Sequence, residues 1–112
     1  QVHRILANLI SNAIEHTPPT GSVTVRTVTN HEFAQIAVID TGEGIVDEHL
    51  PLVFEPGFRV DSSMKSSKGI GLGLAIAREL VSHHGGKISV SSRVSAGATF
   101  EFTLPLSSTP NT

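Results

Sequence analysis

The sequence predicts a single α+β domain, a two-layer α/β sandwich with about three helices on one face of a mixed, mostly antiparallel sheet. Three observations carry this. A chain of 112 residues has room for one two-layer core and not for two. Its patterned segments run in the order helix, strand, strand, short helix, loop, helix, strand, strand. Strands adjacent in sequence are separated only by short turns, so they pair as hairpins, and helices that alternate with such pairs stack on one side of the sheet.

The first helix is read from Val2, Ile5, Leu6, Leu9 and Ala13, which share one face at helical spacing. It ends before Thr17-Pro18-Pro19, where proline cannot continue it. Asn8, Asn12 and His16 form an i, i+4 stripe along one edge of that apolar face. Asparagine is a poor helix-interior residue. The two asparagines are either exposed and tolerated, or hydrogen-bonded to a neighbouring backbone, or a row of amide oxygens suited to a hard cation such as Mg²⁺.

Ser22 to Val28 alternates valine with polar residues and reads as a half-buried strand after Gly21. Asn30-His31 makes a turn, and Phe33 to Ile39 is apolar enough for a more central strand ending at Asp40. The loop Asp40-Thr41-Gly42-Glu43-Gly44-Ile45 places a carboxylate at the lip of that strand, followed by two glycines. Good turn chemistry explains one glycine. A carboxylate aimed into an apolar pocket would also select a ligand's amino group, because a ligand without that donor leaves the charge unpaired.

Asp47 to Val53 reads as a short helix, broken by Phe54-Glu55-Pro56-Gly57-Phe58-Arg59. Val60 to Lys68 is rich in serine and lysine, as a surface loop is. Beyond it stands Gly69-Ile70-Gly71-Leu72-Gly73, running directly into a helix whose stripe is Leu72, Ile76, Ala77, Leu80 and Val81. Such a run either packs a helix closely on its neighbour or leaves free N–H groups to hold phosphate at the positive end of the helix dipole. Its Gly-x-Gly-x-Gly spacing and polar approach do not match the dinucleotide fingerprint, which follows a strand. Arg59, Lys65 and Lys68 would let the preceding loop close over anionic groups, or are simply solvated. His83-His84-Gly85-Gly86 caps the helix, and Lys87 to Ser92 and Ala98 to Leu104 are alternating strands joined near Ser95-Ala96-Gly97. Phe100, Phe102 and Leu104 face the core, with Thr99, Glu101 and Thr103 on the other side.

Composition removes several function classes. The net charge is −2 and aromatic residues make up 4%, which does not suit a nucleic-acid partner. No apolar run reaches membrane-spanning length, so no direct membrane contact is expected. With no cysteine there is no disulfide or thiolate metal site. Gln1 opens inside a helical pattern, as in a fragment of a longer protein, and residues 107–112 are expected to be a disordered tail.

Four stretches together are far more specific than any one alone. Asn8-Leu9-Ile10-Ser11-Asn12-Ala13, Asp40 to Ile45, Phe54 to Arg59, and Gly69 to Gly73 resemble the N box, first glycine box, F box and second glycine box of sensor histidine kinases. Over residues 1–106 the chain resembles the catalytic ATP-binding domain of that family, within the wider group of gyrase B, Hsp90 and MutL. The resemblance implies the Bergerat-type ATP-binding fold, without the strand that usually precedes the N box.

The same resemblance assigns roles. Asn12 would ligate the Mg²⁺ that bridges the ATP phosphates, with Asn8 assisting and His16 beside them. Asp40 would accept the adenine amino group, and Thr99 would support it through water. Gly42 and Gly44 would let the backbone pass close to the base, next to Ile45. Gly69, Gly71 and Gly73 would cradle the phosphates, with Ile70 and Leu72 near the nucleotide. Phe58, Arg59 and Lys68 belong to the loop that would close on the terminal phosphate. The implied reaction is in-line transfer of the γ-phosphoryl group to a histidine nitrogen.

Three departures bear on that reading. Gyrase-like ATPases carry a glutamate base where this chain has Asn8, and an amide there favours a kinase over a hydrolase. Gly57 stands where the F box usually has phenylalanine, and Glu15 where many relatives are basic. The resemblance implies a phospho-accepting histidine on a separate helical dimerisation domain of the same polypeptide, reached in cis or in trans within a homodimer. His31-Glu32 imitates the acceptor dipeptide but lies in a turn. A response regulator would act downstream, and the parent would be anchored in the bacterial inner membrane with this domain in the cytoplasm. The alternatives are a degenerate nucleotide-binding module and a serine kinase of the anti-sigma-factor type.

Overall fold

A computed structural model describes residues 2–57 and 73–106. Helix α1 (Val2–Glu15) buries Ile5, Leu9 and Ala13, the stripe its periodicity marks. Its last turn is closed by the Thr17 hydroxyl, which donates to the Ala13 carbonyl at 2.7 Å just before the two prolines. Strands β1 (Val23–Thr29) and β2 (Phe33–Asp40) follow as an antiparallel hairpin with Val25 opposite Val38. The Asn30 side-chain oxygen organises the turn by accepting from the N–H groups of Glu32 and Phe33.

The short helix expected over residues 47–53 is instead a single 3₁₀ turn, Leu50–Leu52. Pro51 lies in its first turn, where a missing N–H costs nothing, but the ring prevents an α-helix from running through from Asp47. The surrounding bonds run three residues back along the chain, as in Leu52 N–H to the His49 carbonyl at 2.8 Å and Glu55 N–H to that of Leu52 at 2.9 Å. Among the described residues the sheet is therefore covered by two α-helices rather than three. Helix α2 (Gly73–His83) packs on α1 and buries Ala77 and Val81. Strands β3 (Lys87–Ser92) and β4 (Ala98–Pro105) form the second hairpin.

The sheet order is β1-β2-β4-β3, and every described pairing is antiparallel. The two hairpins thus meet through β2 and β4, which become the centre of the sheet. Their inward residues, Ile36, Val38, Phe100, Phe102 and Leu104, pack against Ile5, Leu9, Ala77 and Val81 from the helices. Phe54 closes one edge of this core: its ring meets Phe100 edge-on at 6.0 Å, and the Arg78 guanidinium lies 5.9 Å above its face. No helix of the described residues is long and apolar enough to cross a membrane.

Candidate functional site

Central position in the sheet explains why Asp40 is buried. It ends β2 on the inward face, two residues beyond Val38, and is 5% exposed. Its Oδ1 accepts from the backbone N–H of Gly42 at 2.8 Å and from that of Ala98 at 3.2 Å. Two amide donors compensate the loss of water around that oxygen. No described residue donates to Oδ2, so the carboxylate presents one acceptor to any ligand.

The loop after Asp40 is built by close backbone contact. A Cβ at Gly42 would lie 2.1 Å from the His16 carbonyl oxygen, which only glycine permits. This contact lays the end of α1 against the glycine loop. The same two segments meet again through His16 Nδ1 and Glu43 Oε2, 3.3 Å apart. That pair lines a surface pocket of about 450 Å³ together with Thr17, Pro18 and Thr41. Asp40 is not part of that pocket's wall.

Asn8, Asn12 and His16 are all half-buried along one edge of α1. Asn8 Nδ2 is buried and has no hydrogen-bond partner among the described residues. It stands where α2 begins, since a Cβ on Gly73 would reach within 4.0 Å of the Asn8 Cγ. A buried amide donor without a partner is costly unless something else accepts from it. An anionic ligand oxygen at the start of α2 would do so. Among the described residues no group of three His, Cys, Asp or Glu side chains could hold a metal ion.

Ile45 is half-buried against the core, and its N–H donates to the Ser92 hydroxyl at 2.7 Å. Gly44 has a φ of +79°. The structure does not bring Thr99 to the carboxylate. Thr99 pairs with Ile39, so it lies on the outer face of the sheet, while Asp40 shares the inner face with Ala98. The residue that touches Asp40 is Ala98, through its backbone amide. Phe58, Arg59, Lys68, Gly69, Ile70, Gly71 and Leu72 lie outside the described residues, as does the segment 107–112. Ala98, Glu43 and Ser92 are the contributors that sequence reasoning passed over. Strand parity was the available signal: Ser92 falls in step with Ile88 and Val90, and a hydroxyl on that inward side needs partners.

Residues 1–108 match the family described as histidine kinase-, DNA gyrase B-, and HSP90-like ATPase. Over 107 residues the chain is 36% identical to the adaptive-response sensory kinase SasA of Synechococcus elongatus, covering 95% of this chain and 27% of that protein. Among solved structures, the mycobacterial sensor histidine kinase MprB superposes with a TM-score of 0.79 at 36% identity, covering 91% of this chain and 70% of that one. Full-length ShkA in complex with AMPPNP gives 0.78 at 30% identity, covering 93% of this chain and 21% of that one. The chain spans 27%, 22% and 13% of the length of three curated relatives that it matches.

Proposed function

The chain belongs to the family of histidine kinase-, DNA gyrase B- and HSP90-like ATPases, and we propose that it is the ATP-binding catalytic domain of a two-component sensor histidine kinase. The observation that carries the reading is the buried Asp40 carboxylate, with Oδ1 held by two backbone amides and Oδ2 open among the described residues. An exocyclic amino group such as that of adenine is the matching donor. AMPPNP, the nucleotide in the ShkA complex, carries this group.

The other residues then divide the work by position. Asn8 offers its buried amide to a phosphate oxygen beside the start of α2. Asn12, one helical turn on, is the protein's own ligand for Mg²⁺. With no multi-carboxylate cage among the described residues, that ion would arrive with the phosphates. Bound there, it would neutralise charge developing on the transferred group. Ile45 and the glycine loop exclude water from one side of the base. Neither asparagine is a general base, so the site lacks the means to activate water at that edge. We assign Arg59, Lys68 and the glycines Gly69 and Gly71 to the phosphates on the family resemblance. The acceptor would be a histidine on a dimerisation domain of the same polypeptide, with a response regulator downstream and the parent at the bacterial inner membrane.

Calorimetric titration with a non-hydrolysable ATP analogue, with and without Mg²⁺, tests the pocket. Wild type should bind; Asp40→Asn should lose binding, because its amide turns a donor towards the base amino group; Asn12→Ala should lose the Mg²⁺ dependence. Transfer to a supplied acceptor domain then tests the kinase activity. Binding without transfer would identify a nucleotide-binding module that has lost catalysis.

A further inference from the structure

Ser92 is the last residue of β3 and is half-buried on its inward side, in step with Ile88 and Val90. Its hydroxyl accepts from the Ile45 N–H at 2.7 Å and donates to the Gly97 carbonyl at 2.8 Å. One side chain thereby joins the glycine loop after β2, the end of β3 and the turn into β4. The same segments are pressed together nearby. A Cβ on Gly44 would lie 2.1 Å from the Arg93 carbonyl oxygen, and one on Gly97 2.0 Å from that of Asp40. Ser95 N–H also donates to the Glu43 carbonyl at 2.8 Å.

The consequence falls on Asp40. Gly97 immediately precedes Ala98, whose N–H is one of the two donors that hold Asp40 Oδ1. The other donor, Gly42, lies in the loop that Ser92 ties down at Ile45. Fixing both donors fixes the plane of the carboxylate and hence the direction in which Oδ2 meets a ligand. We propose that Ser92 is a positioning residue for base recognition, locking the glycine loop to the β3–β4 turn so that Asp40 accepts from an amino group in one orientation only. This rests on the nucleotide reading above and extends it to a residue outside the four sequence boxes. Without the hydroxyl, the Ile45 N–H and the Gly97 carbonyl lose their partner in a part-buried place, and the loop and turn separate or admit water.

The test is calorimetric titration with ADP and with IDP, which has a carbonyl oxygen in place of the amino group. Wild type should prefer ADP. Ser92→Ala should bind ADP roughly tenfold more weakly and lose most of the preference, because a tilted carboxylate reads the donor poorly. Ser92→Thr, which keeps the hydroxyl, should restore both. Ser92→Cys keeps a heavy atom at the hydroxyl position but donates and accepts only weakly, and should behave like alanine, covering the case in which Ser92→Ala does not fold. If the alanine and cysteine variants weaken both nucleotides equally, or change neither, the positioning role is wrong while the nucleotide site stands. If wild type binds neither nucleotide, the nucleotide reading falls and this role falls with it; if it binds both alike, Asp40 does not read the amino group and the positioning role falls while the nucleotide site stands.

Discussion

His16 Nδ1 lies 3.3 Å from Glu43 Oε2, joining the end of α1 to the glycine loop that follows β2. His16 is half-buried and Glu43 exposed, with side-chain accessibilities of 26% and 62%. Water and salt screen such a contact, so it trims the loop rather than holding it. Glu43→Ala should change unfolding free energy by no more than about 1 kcal/mol in a urea titration. Repeating the titration in high salt should reduce even that difference.

Gly42 carries more of the same junction. A methyl group there would overlap the His16 carbonyl oxygen at 2.1 Å and approach Asp40 Oδ1 at 3.1 Å, and backbone cannot yield as a flexible side chain does. Gly42→Ala should cost about 1–3 kcal/mol of stability by overpacking. It should also weaken binding of an ATP analogue by roughly tenfold or more, since the Asp40 carboxylate must move. Binding at wild-type affinity would show that the loop's distance from α1 does not matter.

Thr99 should matter little. Its side chain lies on the sheet face opposite Asp40, so Thr99→Val should leave stability within about 0.5 kcal/mol and nucleotide affinity within about twofold. A large loss of binding in that variant would mean that the outer face communicates with the site.

The core ring Phe100 is 1% exposed and touches Phe54 edge-on. Phe100→Ala should cost about 3–5 kcal/mol, a large share of what a domain of this size possesses. Phe54→Leu should cost about 0.5–1.5 kcal/mol, chiefly through loss of the aromatic contact. Thermal unfolding of both variants checks the order, and equal losses would contradict the packing described.

Period alone made most of the fold legible. Helical spacing marked Ile5, Leu9 and Ala13, and two-residue alternation marked Phe100, Phe102 and Leu104, because those positions must leave water together. The short helix failed for a local reason: Pro51 limits that stretch to one tight turn. Thr99 is the instructive case at the site. Strand parity had already turned it away from the core, yet the family resemblance placed it beside Asp40. The register of β4 on β2 shows that Ala98 occupies that place.

The sequence by itself therefore determined the two α-helices and four strands, the buried faces of α1 and β4, and a carboxylate followed by two glycines, since these follow from spacing and residue chemistry along the chain. The half-buried face expected of β1 is instead exposed at Val25 and Val28. Only the tertiary structure decided which backbone amides hold Asp40, that Asn8 keeps a buried donor without a described partner, and that Ser92 ties three segments together. Those contacts join residues up to 58 positions apart, as Ala98 joins Asp40. Such meetings are set by strand order and register, and no local pattern encodes them.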